Sequence, residues 1–154
     1  LTRNDFVQVG EEGKPLHEDQ PKSSAETLLH VAIAQETTAG AILHTHSVWG
    51  TVLSEQFFNE GAVSIADYEM LKGLDNVTTH QHIEHLSIFD NTQDIAQLAS
   101  DLRDRFQQQP EQLAHGFLIR QHGLYTWGET LEDAQRQIEV FEFLLECIGR
   151  RGHA

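Results

Sequence analysis

Cysteine, proline and basic residues are all scarce in this chain, and each shortage narrows what the protein can be. A single cysteine, Cys147, in 154 residues rules out an internal disulfide framework. It fits a reducing compartment, so a cytoplasmic location is expected. Its place in the apolar pattern FEFLLECIG marks it as a small core hydrophobe rather than a nucleophile. Ten lysines and arginines stand against 24 acidic residues, a formal net charge of −14. Such a field repels nucleic acid and anionic membranes, and no basic stripe counters it, so neither is expected as a partner. No apolar run reaches membrane-spanning length and no secretory leader is read at the start. Internal repeats, a glycine-rich nucleotide loop and an H-E-x-x-H helix are also missing, which removes the common metalloprotease arrangement.

With 39% hydrophobic and 22% charged residues, the chain has one domain's worth of sequence and can bury a core. Periodicity predicts a turn or cap and then a strand over Phe6–Val9, a polar loop, and a helix from Ser24 to about Thr38. Ser23 and Glu26 have the spacing of a capping box, which would give Glu26 a structural task. A short strand follows to His44, then a helix over Ser47–Phe58, an extended piece over Gly61–Ile65 and a short helix from Asp67 through Glu69 to about Lys72. LSIFD reads as a strand, Thr92–Gln107 as a helix, HGFLIR and HGLYTWG as two further strands, and Thr130–Ile148 as the longest helix, ending before Gly149.

Histidine is what the chain has in excess, with ten in all. In the stretch AILHTHSVWG an apolar run delivers His44 and His46 to its end, and residues two apart in a strand point to one face. Two satisfied polar groups would account for that pair equally well. His122 changes the balance, since it follows the apolar run Phe117–Ile119 and precedes Gly123. Three imidazoles at strand ends make a metal set with an open position, suited to zinc, with iron and manganese as other candidates. Such a cation acts as a Lewis acid and offsets the acidic field toward an anionic substrate; a metal-bound hydroxide or a structural role are the competing readings. Arg120 would lie on the same side as His122 if the strand continued through it.

His80, His82 and His85 in HQHIEH read as a solvated or interfacial loop in preference to a ligand set, because no strong pattern fixes the segment. His30 and His115 are either structural or line the site, and His17 and His153 receive no role. Glu69 and Glu26 are the candidate bases beside the metal, although most glutamates in such places are only solvated charges.

The segments SSAETLLH, ILHTHS, ADYEMLKG and LIRQHGLYTWGETLEDA, with IFDN and FEFLLEC, together resemble the class II aldolase and adducin-like family. Over nearly the whole chain the pattern is most similar to the branch that dehydrates 5-methylthio-D-ribulose 1-phosphate to 2,3-diketo-5-methylthiopentyl 1-phosphate in methionine salvage. The resemblance implies a three-layer α/β/α sandwich around a mainly antiparallel sheet. It further implies one Zn2+ per subunit on His44, His46 and His122, a phosphorylated sugar substrate, and a homotetramer with active sites at its subunit seams. Residues 1–154 would form one class II aldolase-like domain lacking its N-terminal part, since the family carries further chain ahead of LTRNDF, including a phosphate-binding Gly/Asn/Ser segment. Glu69 in ADYEMLKG matches the acid/base of the dehydratase branch. Glu26 falls near the glutamate that the sugar-phosphate aldolases use, displaced by one residue. A zinc-dependent aldolase and a non-catalytic adducin-like interaction module are the alternatives that the same resemblance allows.

Overall fold

Apolar residues recurring at helical spacing alternate with short apolar runs, and the chain folds accordingly. The computed structural model describes residue 2 and residues 5–152. The helices are α1 (Thr27–Glu36), α2 (Val48–Gln56), α3 (Ile95–Gln108) and α4 (Leu131–Arg151). The strands are β1 (Ala41–Thr45), β2 (Ala62–Ile65), β3 (Glu84–Phe89), β4 (Gly116–Ile119) and β5 (Gly123–Gly128). They form one sheet in the order β1-β5-β4-β3-β2. The β3–β4 pair is parallel and the others are antiparallel, so the expected mainly antiparallel sheet is found.

Alternation along the strands sends side chains to two separate cores. Phe117, Tyr125 and Trp127 meet Leu29 and Ile33 of α1 and Leu102 and Phe106 of α3 on one face. On the other, Leu86, Leu118 and Leu124 meet Leu53 of α2 and Phe141, Leu144 and Leu145 of α4. Every residue of β4 and β5 is buried, as a sheet covered on both faces requires. The architecture is the three-layer α/β/α sandwich that the family resemblance implies. No helix among the described residues is long and apolar enough to cross a membrane.

Several expectations give way. The strand over Phe6–Val9 is absent; Val9 makes only an isolated bridge to Pro15, and the turn Gly10–Lys14 closes this segment on itself instead of on the sheet. The cap expected over the first residues lies partly outside the described residues, as does His153. α1 starts at Thr27 without a capping box: Ser23 Oγ donates to the Gly13 carbonyl at 2.9 Å, and the side chain of Glu26 caps nothing. α4 runs through Gly149 to Arg151, because that glycine fills a packing role. A Cβ there would stand 2.1 Å from Cε3 of Trp49, so its missing side chain lets α2 lie against α4.

Candidate metal centre

His44 is fixed by sheet register. It pairs with Tyr125 across β1 and β5, and Tyr125 pairs with Phe117 across β5 and β4. Side chains at paired positions share a face, and here the three rings stack: His44 on Tyr125 at 4.0 Å and Tyr125 on Phe117 at 5.0 Å between centroids. Nδ1 of His44 lies 2.9 Å from the Leu124 carbonyl. A carbonyl only accepts, so Nδ1 carries the proton and Nε2 presents its lone pair outward.

His46 follows the strand and stands just before Ser47, whose Oγ accepts from the Gly50 amide at 3.0 Å and starts α2. His122 sits in the turn between β4 and β5, where the His122 amide donates to the Ile119 carbonyl and Gln121 takes a left-handed φ of 52°. α2 holds this turn as well. Ser54 Oγ accepts from the Gln121 amide at 3.0 Å and Thr51 Oγ1 donates to the His122 carbonyl at 3.2 Å. The glycine after His122 has a separate reason: a Cβ on Gly123 would lie 2.1 Å from the Thr45 carbonyl oxygen. The strand bearing His44 approaches the His122 turn only because that position is bare.

These elements bring three Nε2 atoms together. His46 Nε2 is 2.8 Å from that of His44 and 3.0 Å from that of His122. Tetrahedral zinc with nitrogen ligands at about 2.1 Å spaces them by about 3.4 Å, so the imidazoles need only a small outward shift to fit. Burial lowers the pKa of His44, opposed in part by its backbone hydrogen bond, which keeps the ring in the neutral form a cation requires. Both the donor chemistry and the convergence fit a divalent ion.

Glu26 faces the same point. Its Oε1 lies 3.1 Å from His122 Nε2 and its Oε2 3.6 Å from His44 Nε2. Tyr125 Oη donates to Oε2 at 3.1 Å. Burial, together with this carboxylate, pushes the Tyr125 phenol well above its ordinary pKa, so it remains a donor. The structural task expected of Glu26 is therefore not there. Glu69 opens the 3-10 helix Glu69–Gly73 and is exposed. The hydrogen bond from Lys72 at 2.7 Å holds its carboxyl below the ordinary range, and His80 is the other partner at 3.6 Å. Among the described residues, the ion pairs of Glu69 do not include the three histidines. Arg120 also departs from its expected place. β4 ends at Ile119, and the guanidinium turns to Glu55 at 2.5 Å and lies over the Phe58 ring at 4.3 Å.

Two groups of described residues have donors close enough for a divalent cation: the three histidines, and His82, Glu84 and His115. The second takes His82 and Glu84 from HQHIEH, whose His80 and His85 are exposed as a solvated loop would have them. β3 begins at Glu84, whose Oε2 lies 2.8 Å from His82 Nε2 and 2.9 Å from His115 Nδ1, while His115 Nε2 meets the Asp75 carbonyl at 2.8 Å. This group is also complete with protons alone. Burial disfavours the Glu84 charge, yet the hydrogen bonds and charges of both histidines outweigh it and its pKa falls; burial likewise opposes the His115 charge, and Glu84 and Asp75 outweigh it and raise its pKa. A signal was available in the sequence, since His115–Gly116 repeats the His122–Gly123 pair at the other end of β4.

Comparison with known proteins agrees with this geometry. The methylthioribulose-1-phosphate dehydratase of Marinobacter nauticus is 48% identical over 148 residues, covering 96% of this chain and 70% of that protein. The enzyme of the same name from Pseudomonas aeruginosa is 50% identical over 127 residues, covering 82% of this chain and 60% of that protein. In structure, the l-fuculose-1-phosphate aldolase of Thermus thermophilus superposes with a TM-score of 0.66 at 19% identity, covering 96% of this chain and 70% of that one, a likeness of fold. The profile described as Class II Aldolase and Adducin N-terminal domain matches residues 1–148, and with the sandwich fold and the identity to these relatives it places the chain in the class II aldolase and adducin family.

Proposed function

We propose that this chain dehydrates 5-methylthio-D-ribulose 1-phosphate to 2,3-diketo-5-methylthiopentyl 1-phosphate, a step of methionine salvage, as a cytoplasmic homotetramer with one Zn2+ per subunit. The observation that carries the reading is the convergence of His44, His46 and His122 in a chain 48% identical to a dehydratase of that substrate. His44, His46 and His122 would hold the zinc, which supplies Lewis acidity toward the C2 carbonyl. Nucleic acid and membranes are not expected as partners, in keeping with the net charge of −14.

Glu69 is assigned as acid and base. Its carboxylate takes the C3 proton and delivers a proton to the C4 hydroxyl, which leaves as water; the resulting C3–C4 enol then becomes the 3-ketone. The exposure of Glu69, and its pairing with Lys72 instead of its own chain's histidines, suit a residue that serves a neighbouring subunit's site. Lys72 keeps the carboxyl ionised and ready to accept a proton. A second reading gives the same task to Glu26, favoured by its 3.1 Å approach to His122 Nε2.

Mass spectrometry of the product, with zinc content measured in parallel, tests the reaction: the diketone is expected, and cleavage to smaller carbonyl compounds would identify an aldolase instead. Glu69→Gln is expected to abolish turnover with zinc retained. Near-normal turnover in Glu69→Gln, with loss in Glu26→Gln at full zinc content, would transfer the role to Glu26.

A further inference from the structure

A cavity of about 110 Å³ borders the histidine cluster, with His122 and Glu26 on its boundary. Its apolar lining comes from Ala25, Ile95, Leu98 and Ile119, and Leu98 and Ile119 belong to the buried core. We infer that this cavity receives the methylthio end of the substrate and so sets its specificity, an inference that rests on the dehydratase reading above.

The two ends of such a substrate differ sharply. One is a phosphate, and the other a thioether with no hydrogen-bonding demand. The cavity is unsuited to the phosphate. Its polar boundary is the Glu26 carboxylate and His122 with the neutral side chains of Asn91, Thr92 and Gln93, so no lysine or arginine lines it, and the first turn of α3 beside it is already capped by an anion, Asp94, whose Oδ1 accepts from the Gln97 amide at 3.0 Å. The neighbouring cation, Arg120, is engaged by Glu55 and by Asp90 at 3.7 Å. A neutral, polarizable group faces none of these penalties and gains contact with the aliphatic wall. The distance along the substrate also agrees. The methylthio group sits on C5, three bonds from the carbonyl carbon, a span of a few ångströms, and His122 borders both the histidine cluster and the cavity.

Competition between two substrates provides the test. The first is 5-methylthioribulose 1-phosphate, and the second 5-deoxyribulose 1-phosphate, which lacks only the methylthio group. Ala25 is exposed at the cavity rim, so Ala25→Leu fills the space with little disturbance to the core. It is expected to lower kcat/KM for the methylthio substrate by about tenfold or more, while that for the deoxy substrate changes by less than about threefold. Ile95→Ala, which enlarges the cavity, should shift preference toward a 5-ethylthio analogue. Zinc content and thermal melting report whether each variant keeps its site and fold. Diketone formation by the unaltered chain, with Ala25→Leu depressing both substrates equally or neither, would overturn the cavity assignment alone. Absence of diketone from the unaltered chain would overturn the dehydratase reading and the assignment with it.

Discussion

Replacing Gly149 with alanine should destabilise the fold, although in most helices that exchange is favourable. Alanine gains about 1 kcal/mol over glycine in a helix interior through lower backbone entropy in the unfolded chain. Here the new Cβ would stand 2.1 Å from Cε3 and 2.2 Å from Cζ3 of Trp49. Carbon atoms in contact rest at about 3.5–4.0 Å, so the helices must separate by roughly 1.5 Å or the indole must leave its position. Overpacking of this kind costs about 1–3 kcal/mol, and a clash between a helix backbone and a rigid ring belongs at the upper end. The net effect is a loss of about 2 kcal/mol, which for a chain of this size lowers Tm by roughly 4–8 °C. Displacement of α2 should also loosen the metal, since His46 precedes that helix and its Thr51 and Ser54 hold the His122 turn. Thermal melting with and without zinc, and a zinc titration by calorimetry, read both effects. In a Trp49→Ala background the Gly149→Ala exchange should become neutral or stabilising. A Gly149→Ala chain as stable as the parent, with unchanged zinc affinity, would refute the packing argument.

Ser47→Ala removes the cap of α2 and should cost about 1 kcal/mol in urea denaturation. The Glu84–His115 pair gives a stability window with two edges. Glu84 has a lowered pKa, so its contribution is present above about 4.5 and fades as pH falls through the folded value; His115 has a raised pKa, so its contribution is full below about 6.5 and fades as pH rises through the folded value. Melting temperature against pH should therefore drop on both sides of that interval, and Glu84→Gln, which leaves the buried His115 without its anion, should cost about 3–5 kcal/mol and flatten the profile. If Glu69 serves a neighbouring site, mixing unfolded Glu69→Gln and His44→Ala chains and refolding them together should restore activity to about a quarter of the parent's, because a quarter of random pairings join an intact glutamate to intact histidines. Hybrids with no activity would confine each site to one subunit.

Much of this organisation was legible in the sequence because it depends on local rules. The succession of helices and strands follows from apolar periodicity, the sandwich is what the family resemblance implies, and the pairing of His44 at the end of β1 with His46 just beyond it is suggested by their two-residue spacing. What escaped depends on contacts between distant segments. Glu26 has the spacing of a capping box, but only the packed sheet puts His122 and Tyr125 within its reach. Gly149 looks like a helix stop until Trp49, a hundred positions away, is seen to need the space. Glu84 and His115 are separated by 31 positions, and only the parallel β3–β4 pairing brings them, with His82, together. Arg120 was misplaced by one residue of strand length, enough to turn its charge away.

The row of stacked rings running from Phe117 through Tyr125 to His44 has a consequence for how the molecule is assembled over time. His46 and His122 are 76 positions apart, and no local segment contains the ion's binding site. Closing so long a loop is slow, and it must precede any gain from the contacts it creates. The ring row forms only once β1, β5 and β4 are in register, so a metal held by the three histidines would be taken up after the central sheet, as a latch on a finished core rather than a seed for its collapse. A chelator present throughout refolding should then leave the rate of sheet formation unchanged and speed only the subsequent unfolding.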